Sequence, residues 1–240
     1  MTATLVGAVA TAALFGVTHA VEPDHVAGIA SLTSRYGDPR LSALVGACFS
    51  LGHVTLVVAW LVVGSILLGT SGFAPAFDAV GTAGVAVVLG LLGGAMAVGG
   101  LRTVVRDDAH AHDDGTVHSH HHLRLPLPGF DAAVHDHSAR AYLRTGVVGA
   151  LFTLSPPLSM LAFASTLLPN YGVNAVVLAI AAYAVGITAT MTLLGAGVGT
   201  VFGLTSDRNV RVHAGFRAVV GIAVVGLAVT MATGVVSVPG

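Results

Sequence analysis

The chain has 240 residues, of which 55% are hydrophobic and only 9% charged, against roughly 25% charged residues in a soluble domain. With a mean hydropathy of +0.88, this composition excludes an ordinary water-soluble fold, and a net charge of −1 gives no electrostatic basis for binding nucleic acid. The 31 glycines suit closely packed membrane helices. The lone Cys48 excludes an intrachain disulfide, and its apolar surroundings predict a small buried thiol.

A crossing needs about 20 apolar residues. Runs bounded by charges or turn residues predict six spans, over 5–32, 41–68, 80–101, 143–168, 173–202 and 212–236. The first twenty residues end in Thr18-His19-Ala20, an imitation of a signal-peptidase site, but the positive n-region is missing. They read as the first half of a spanning helix. Arginine, the sole basic residue type, falls on alternate connections: Arg35 and Arg40 after the first span, Arg102, Arg106, Arg124, Arg140 and Arg144 around the third connection, and Arg208, Arg211 and Arg217 after the fifth. By the positive-inside rule this places both termini outside a cell membrane and residues 105–140 in the cytoplasm.

These features define an all-α integral membrane protein with a single domain over 1–240. Two three-helix halves, 1–104 and 141–240, lie in opposite orientation and are joined by the loop 105–140, the inverted-repeat plan of many transporters. A faint internal match agrees: Pro23 has a counterpart at Pro156-Pro157, and Ser50-Leu51-Gly52-His53 resembles Ala184-Val185-Gly186-Ile187.

The first span carries chemistry. His19, Glu22, Asp24 and His25 fall within seven positions of an otherwise apolar run, where an unpaired carboxylate at a helix centre costs roughly 2.5–3.5 kcal/mol. A divalent cation compensates for such a cluster, because carboxylates and neutral imidazoles are its ligands. On an unbroken helix Asp24 and His25 would lie about 140° and 120° around the axis from His19, aimed apart. Pro23 lacks an N–H and clashes with the carbonyl four residues back, that of His19, so a kink is expected to let the side chains converge and to free the His19 carbonyl as an oxygen ligand. Glu22 stands three residues from both His19 and His25, a spacing that fits either a ligand or a partner orienting an imidazole. The second span adds His53 well inside its apolar run, after Gly52.

The pattern His-x4-Asp-His at His19, Asp24 and His25, followed by Leu51-Gly52-His53, resembles the signature of the nickel/cobalt transporter (NiCoT) family. The resemblance implies a secondary transporter whose substrate is Ni²⁺ or Co²⁺, with no permanent cofactor and no enzymatic activity, and His19, Asp24, His25 and His53 on the metal path. It covers residues 16–58. Typical members have about eight spans and further acidic signatures, whereas spans four to six here hold no carboxylate, only hydroxyls such as Thr153, Ser155, Ser159 and Thr188. The chain thus resembles a shorter, six-helix branch, a relationship compatible with uptake or efflux.

Other readings meet specific objections. An intramembrane metallohydrolase using His19, His25 and Glu22 lacks the His-Glu-x-x-His spacing that sets two ligands on one helical face. A haem protein with His19 and His53 as axial ligands is a further reading, which an absorption spectrum of the purified protein decides. A six-helix transporter of another small solute does not call for buried carboxylates and imidazoles together. The loop carries His110, His112, His118, His120, His121, His122, His135 and His137 among aspartates, a composition that reads either as a tract collecting or sensing metal without fixed geometry or as a solvated linker. His213, beside Arg211 and Arg217, is expected at the membrane interface.

Overall fold

A computed structural model describes residues 2–34, 37–63, 75–106, 144–145, 147–149, 151–152, 158–206 and 209–237. Among these residues the chain is all-helical: α1 (Thr2–Ala20), α2 (Pro23–Thr33), α3 (Pro39–Val62), α4 (Pro75–Arg106), α5 (Leu158–Ser206) and α6 (Val210–Ser237). The histidine-rich loop, Pro156-Pro157, Thr153, Ser155, Arg35 and Arg208 lie outside the described residues.

Helix starts follow from local chemistry. Asp38 accepts from the backbone N–H groups of Arg40 (2.7 Å) and Leu41 (3.0 Å), which satisfies donors that the first turn of α3 leaves open. Pro39 occupies the first helical position, where its missing N–H is not needed. Asn209 caps α6 in the same way through Arg211 N–H at 2.8 Å. Hydroxyls inside helices bond back to their own turns, as Ser31 does to the Ala27 carbonyl and Thr33 to that of Ile29.

Among the described residues four helices are long and apolar enough to cross a membrane, and the bent pair of α1 and α2, if one span, makes a fifth. Leu51, Val87, Leu91, Leu193 and Val219 are 61–72% exposed. Such large apolar side chains facing outward along whole helices suit a lipid-facing surface. The architecture therefore fits a membrane-embedded protein.

Within α5 the backbone breaks at Gly172, with φ 77° and ψ −179°, a conformation essentially restricted to glycine. The break falls between the predicted fourth and fifth spans. Residues 158–171 alone are about 21 Å of helix, short of the roughly 30 Å hydrocarbon core. The rest of the fourth predicted span is represented by helical residues between 144 and 152 and by positions outside the described residues. Cys48, expected to be buried, is partly exposed.

α3 and α1 pack chiefly on α5, and α4 on α6. These seams are backbone against backbone. A side chain at Gly16 would meet the Tyr183 carbonyl, one at Gly186 the Ala13 carbonyl, one at Gly46 the Met191 carbonyl and one at Gly195 the Ser42 carbonyl. Between α4 and α6, Gly100 faces the Ala214 carbonyl and Gly93 the Gly221 carbonyl. Small residues allow this approach, and dispersion between the closely packed backbones holds helices together where no hydrophobic drive separates them from lipid.

The seams predict opposite signs for two similar substitutions. Gly186→Ala is expected to destabilise by about 1–3 kcal/mol, because its Cβ collides with a backbone carbonyl. Gly197→Ala, whose Cβ meets open space, is expected to be neutral or to stabilise by up to about 1 kcal/mol through helix propensity. Thermal unfolding in detergent distinguishes the two, and equal melting temperatures would contradict the packing described.

Candidate metal centre

Pro23 breaks the first apolar run as expected. α1 ends at Ala20, α2 begins at Pro23, and their axes differ by 58°. The His19 carbonyl is not left free, however: it accepts the Glu22 N–H at 3.1 Å, and Val21 N–H bonds to Thr18 at 3.3 Å. The backbone tightens into a turn and satisfies itself, so the expected oxygen ligand is already engaged. Glu22 precedes α2 with extended ψ of 144° and makes no capping bond, because its side chain reaches back to His19. Asp24 sits in the first turn of α2, where the helix dipole favours negative charge.

The break brings three histidines from three helices together. His19 closes α1, His25 opens α2, and His53 lies in α3 three residues beyond Ser50. His25 and His53 are each 1% exposed. Ring centroids are 4.6 Å apart for His19 and His25, 5.2 Å for His19 and His53, and 4.8 Å for His25 and His53. One nitrogen from each histidine can be chosen so that all three lie within 4.8 Å of one another.

The polar contacts form one continuous chain. His19 Nδ1–H donates to Glu22 Oε1 at 2.9 Å, and His25 Nδ1–H donates to Asp24 Oδ1 at 2.9 Å. Between these ends, His19 Nε2 meets His53 Nε2 at 3.2 Å, and His53 Nδ1 meets His25 Nε2 at 3.4 Å. An ionised carboxylate only accepts, so it fixes the proton of its imidazole on Nδ1. Neutral His19 and His25 therefore turn Nε2 lone pairs inward. Neutral His53 has a single proton and can serve only one of them. One inner contact thus sets two lone pairs against each other inside a buried cluster, an arrangement that a positive charge relieves.

A metal cation fits that requirement. Two imidazole nitrogens at about 2.0–2.1 Å from a tetrahedral ion stand about 3.3 Å apart, close to the 3.2 Å between His19 and His53. In that arrangement Glu22 and Asp24 hold the outer nitrogens, fixing ring orientation and raising basicity. Glu22, Asp24 and His25 form a second group with ligand atoms within 4.8 Å, but it lies on the more open side, where the Glu22 side chain is 51% exposed.

The walls are aromatic and hydroxylic. Phe49 and Phe152 pack edge-on to each other at 5.1 Å, and their centroids lie 6.2 and 6.1 Å from that of His25. Ser50 and Thr188 share a hydrogen bond of 2.8 Å between α3 and α5. Tyr183 stands 6.2 Å from His19. All five predicted site residues meet here, whereas Phe49, Phe152 and Tyr183 were not singled out; an isolated phenol within the apolar run 173–202 is the signal that marks Tyr183. His213 is apart from the cluster, half-buried and bonded to Thr205 at 3.0 Å. Comparison with protein-family models, with curated proteins and with solved structures found no match.

If the carboxylates orient the rings, Asp24→Asn is expected to lower Ni²⁺ or Co²⁺ affinity by about 10–100-fold. His53→Ala is expected to lower it further, because it removes the imidazole that both others contact. Titration calorimetry on the purified protein measures both, and equal affinity in wild type and Asp24→Asn would assign the carboxylate no part in binding.

Proposed function

We propose that the protein is a secondary transporter of divalent transition-metal ions, with Ni²⁺ or Co²⁺ as substrate, and that it belongs with the NiCoT-like transporters as a shorter branch. His19, His25 and His53 hold the ion, while Asp24 and Glu22 orient two of the rings. The observation that carries this reading is the convergence of three imidazoles, drawn from three helices by a proline break, with a carboxylate on the outer nitrogen of two of them. Imidazole nitrogen suits nickel, zinc and copper, and oxygen donors alone suit magnesium and calcium, so the donor set favours the transition metals.

A helix broken within the hydrocarbon region is how transporters place polar groups at a substrate site without exposing backbone to lipid. The six-span plan is proposed with it: α1 and α2 as one broken span, α3 and α4 as the second and third, the segment before Gly172 completing the fourth, then the rest of α5 and α6. The pairing of α3 with α5 and of α4 with α6 supports two inverted halves, since a two-fold axis between them sets second against fifth and third against sixth. The arginine distribution supports an orientation with both termini outside the cell membrane and the loop 105–140 in the cytoplasm.

Radiolabelled nickel accumulation in cells with and without the protein tests the function, a rise meaning uptake and a fall meaning efflux. His19→Ala, His25→Ala and His53→Ala are each expected to reduce that difference to background at matched membrane expression. Deletion of 110–137 is expected to reduce it less, because a loop can concentrate metal but cannot carry it through a bilayer. Full transport by the three alanine variants would refute the proposal.

Orientation is read separately, with single cysteines placed at Thr2 and Gly115 in a Cys48→Ser background. A membrane-impermeant thiol reagent is expected to label the first and spare the second in intact cells. Labelling of the Gly115 site from outside would reverse the assignment.

A further inference from the structure

Tyr183 is 2% exposed, yet its hydroxyl has no hydrogen-bond partner among the described residues. Its position is fixed on both sides: its carbonyl lies against Gly16 of α1, one turn before His19, and its ring stands 6.2 Å from that of His19 at a tilt of 32°. The Glu22 carboxylate, which holds the outer nitrogen of His19, is close enough to the phenol to interact with it electrostatically. The neighbouring hydroxyls on α3 and α5, Ser50 and Thr188, satisfy one another. Tyr183 alone lines the histidine cluster with an unused polar atom among these described groups.

For packing, phenylalanine would fill the same space without burying an unmade hydrogen bond, which is costly in a low-dielectric interior. The hydroxyl therefore asks for a partner that arrives with the substrate. Three imidazoles leave coordination positions open on a divalent ion, and water retained there is polarised and donates strongly. A phenol oxygen accepts such a bond.

We infer that Tyr183 is a further substrate-binding residue, its phenol oxygen accepting a hydrogen bond from water that the divalent cation carries into the three-histidine site. This rests on the proposed metal-binding function and adds a contact from α5 to the histidines that α1, α2 and α3 supply. It also gives the site a means of favouring an ion that keeps part of its hydration over one that sheds all of it.

The test uses the full chain purified in detergent, with Ni²⁺ and Co²⁺ titrated into wild type, Tyr183→Phe and His53→Ala. Tyr183→Phe is expected to weaken binding about 3–10-fold, the loss of one hydrogen bond, and to change the visible absorption of bound Co²⁺. Its metal-free melting temperature is expected to equal or exceed that of wild type, because a buried unpartnered group is gone. Wild-type affinity and an unchanged Co²⁺ spectrum in Tyr183→Phe, with binding lost in His53→Ala, would overturn the inference and leave the metal site standing. A lower metal-free melting temperature with the metal-induced rise undiminished would assign the hydroxyl to folding and likewise overturn it. Absence of binding by wild type would remove the metal function and this inference together.

Discussion

In an apolar run a backbone polar group has to find its partner inside the protein, and the turn at Val21-Glu22-Pro23 is where this chain meets that demand. Pro23 ends the continuity of the first helix; the freed backbone is taken up by the Val21 and Glu22 N–H groups, and two helix ends face one another across the turn. Because α1 stops there, His19 can turn to His53, and because α2 starts there, Asp24 lies in its first turn and His25 beside it. An unbroken helix would have distributed the same four side chains around its circumference. The cluster depends on a backbone discontinuity more than on any one contact within it.

The cluster is also electrostatically incomplete. Two carboxylates and three imidazoles make a chain of four contacts, and three neutral rings hold one proton fewer than that chain can use. Buried beside Phe49 and Phe152, the deficit is not made up by bulk water at the His25 end. The protein thus concentrates acceptor capacity at one place in an apolar interior, with Phe49 and Phe152 packed beside its His25 end. That combination is what a site for a small, strongly polarising cation requires.

Much of this was legible in the sequence for local reasons. Charge in an apolar run is conspicuous, and a proline between two histidines predicts both the break and the convergence. The α3, α4 and α6 segments correspond to predicted spans because their apolar runs are bounded by turn residues, with Asp38 and Asn209 marking two of the starts. Tertiary detail was not legible. Pattern does not tell which of two carboxylate roles Glu22 takes, since that depends on which nitrogen of His19 faces inward. The His19 carbonyl looked free because sequence does not show a tightened turn. Tyr183 stood out only as a lone phenol in an apolar run; because α5 is apolar nearly all round, its periodicity does not say which face meets α1. The partial exposure of Cys48 has the same cause. The loop histidines lie outside the described residues.

The glycine seams have a mechanical consequence. Where a glycine Cα abuts a carbonyl there is no side chain to roll over, and sliding one helix along the other drives the next residue's Cβ into backbone. α1 and α3 meet α5 in this way, and α4 meets α6, which groups these helices into two closely packed bodies. His19 and His53 both belong to the first of them. His25 does not: α2 touches α3 and α5 of one body and α4 and α6 of the other, like a key between two plates. A displacement of one body on the other would bear on α2, and so on the one imidazole of the cluster that sits at the joint.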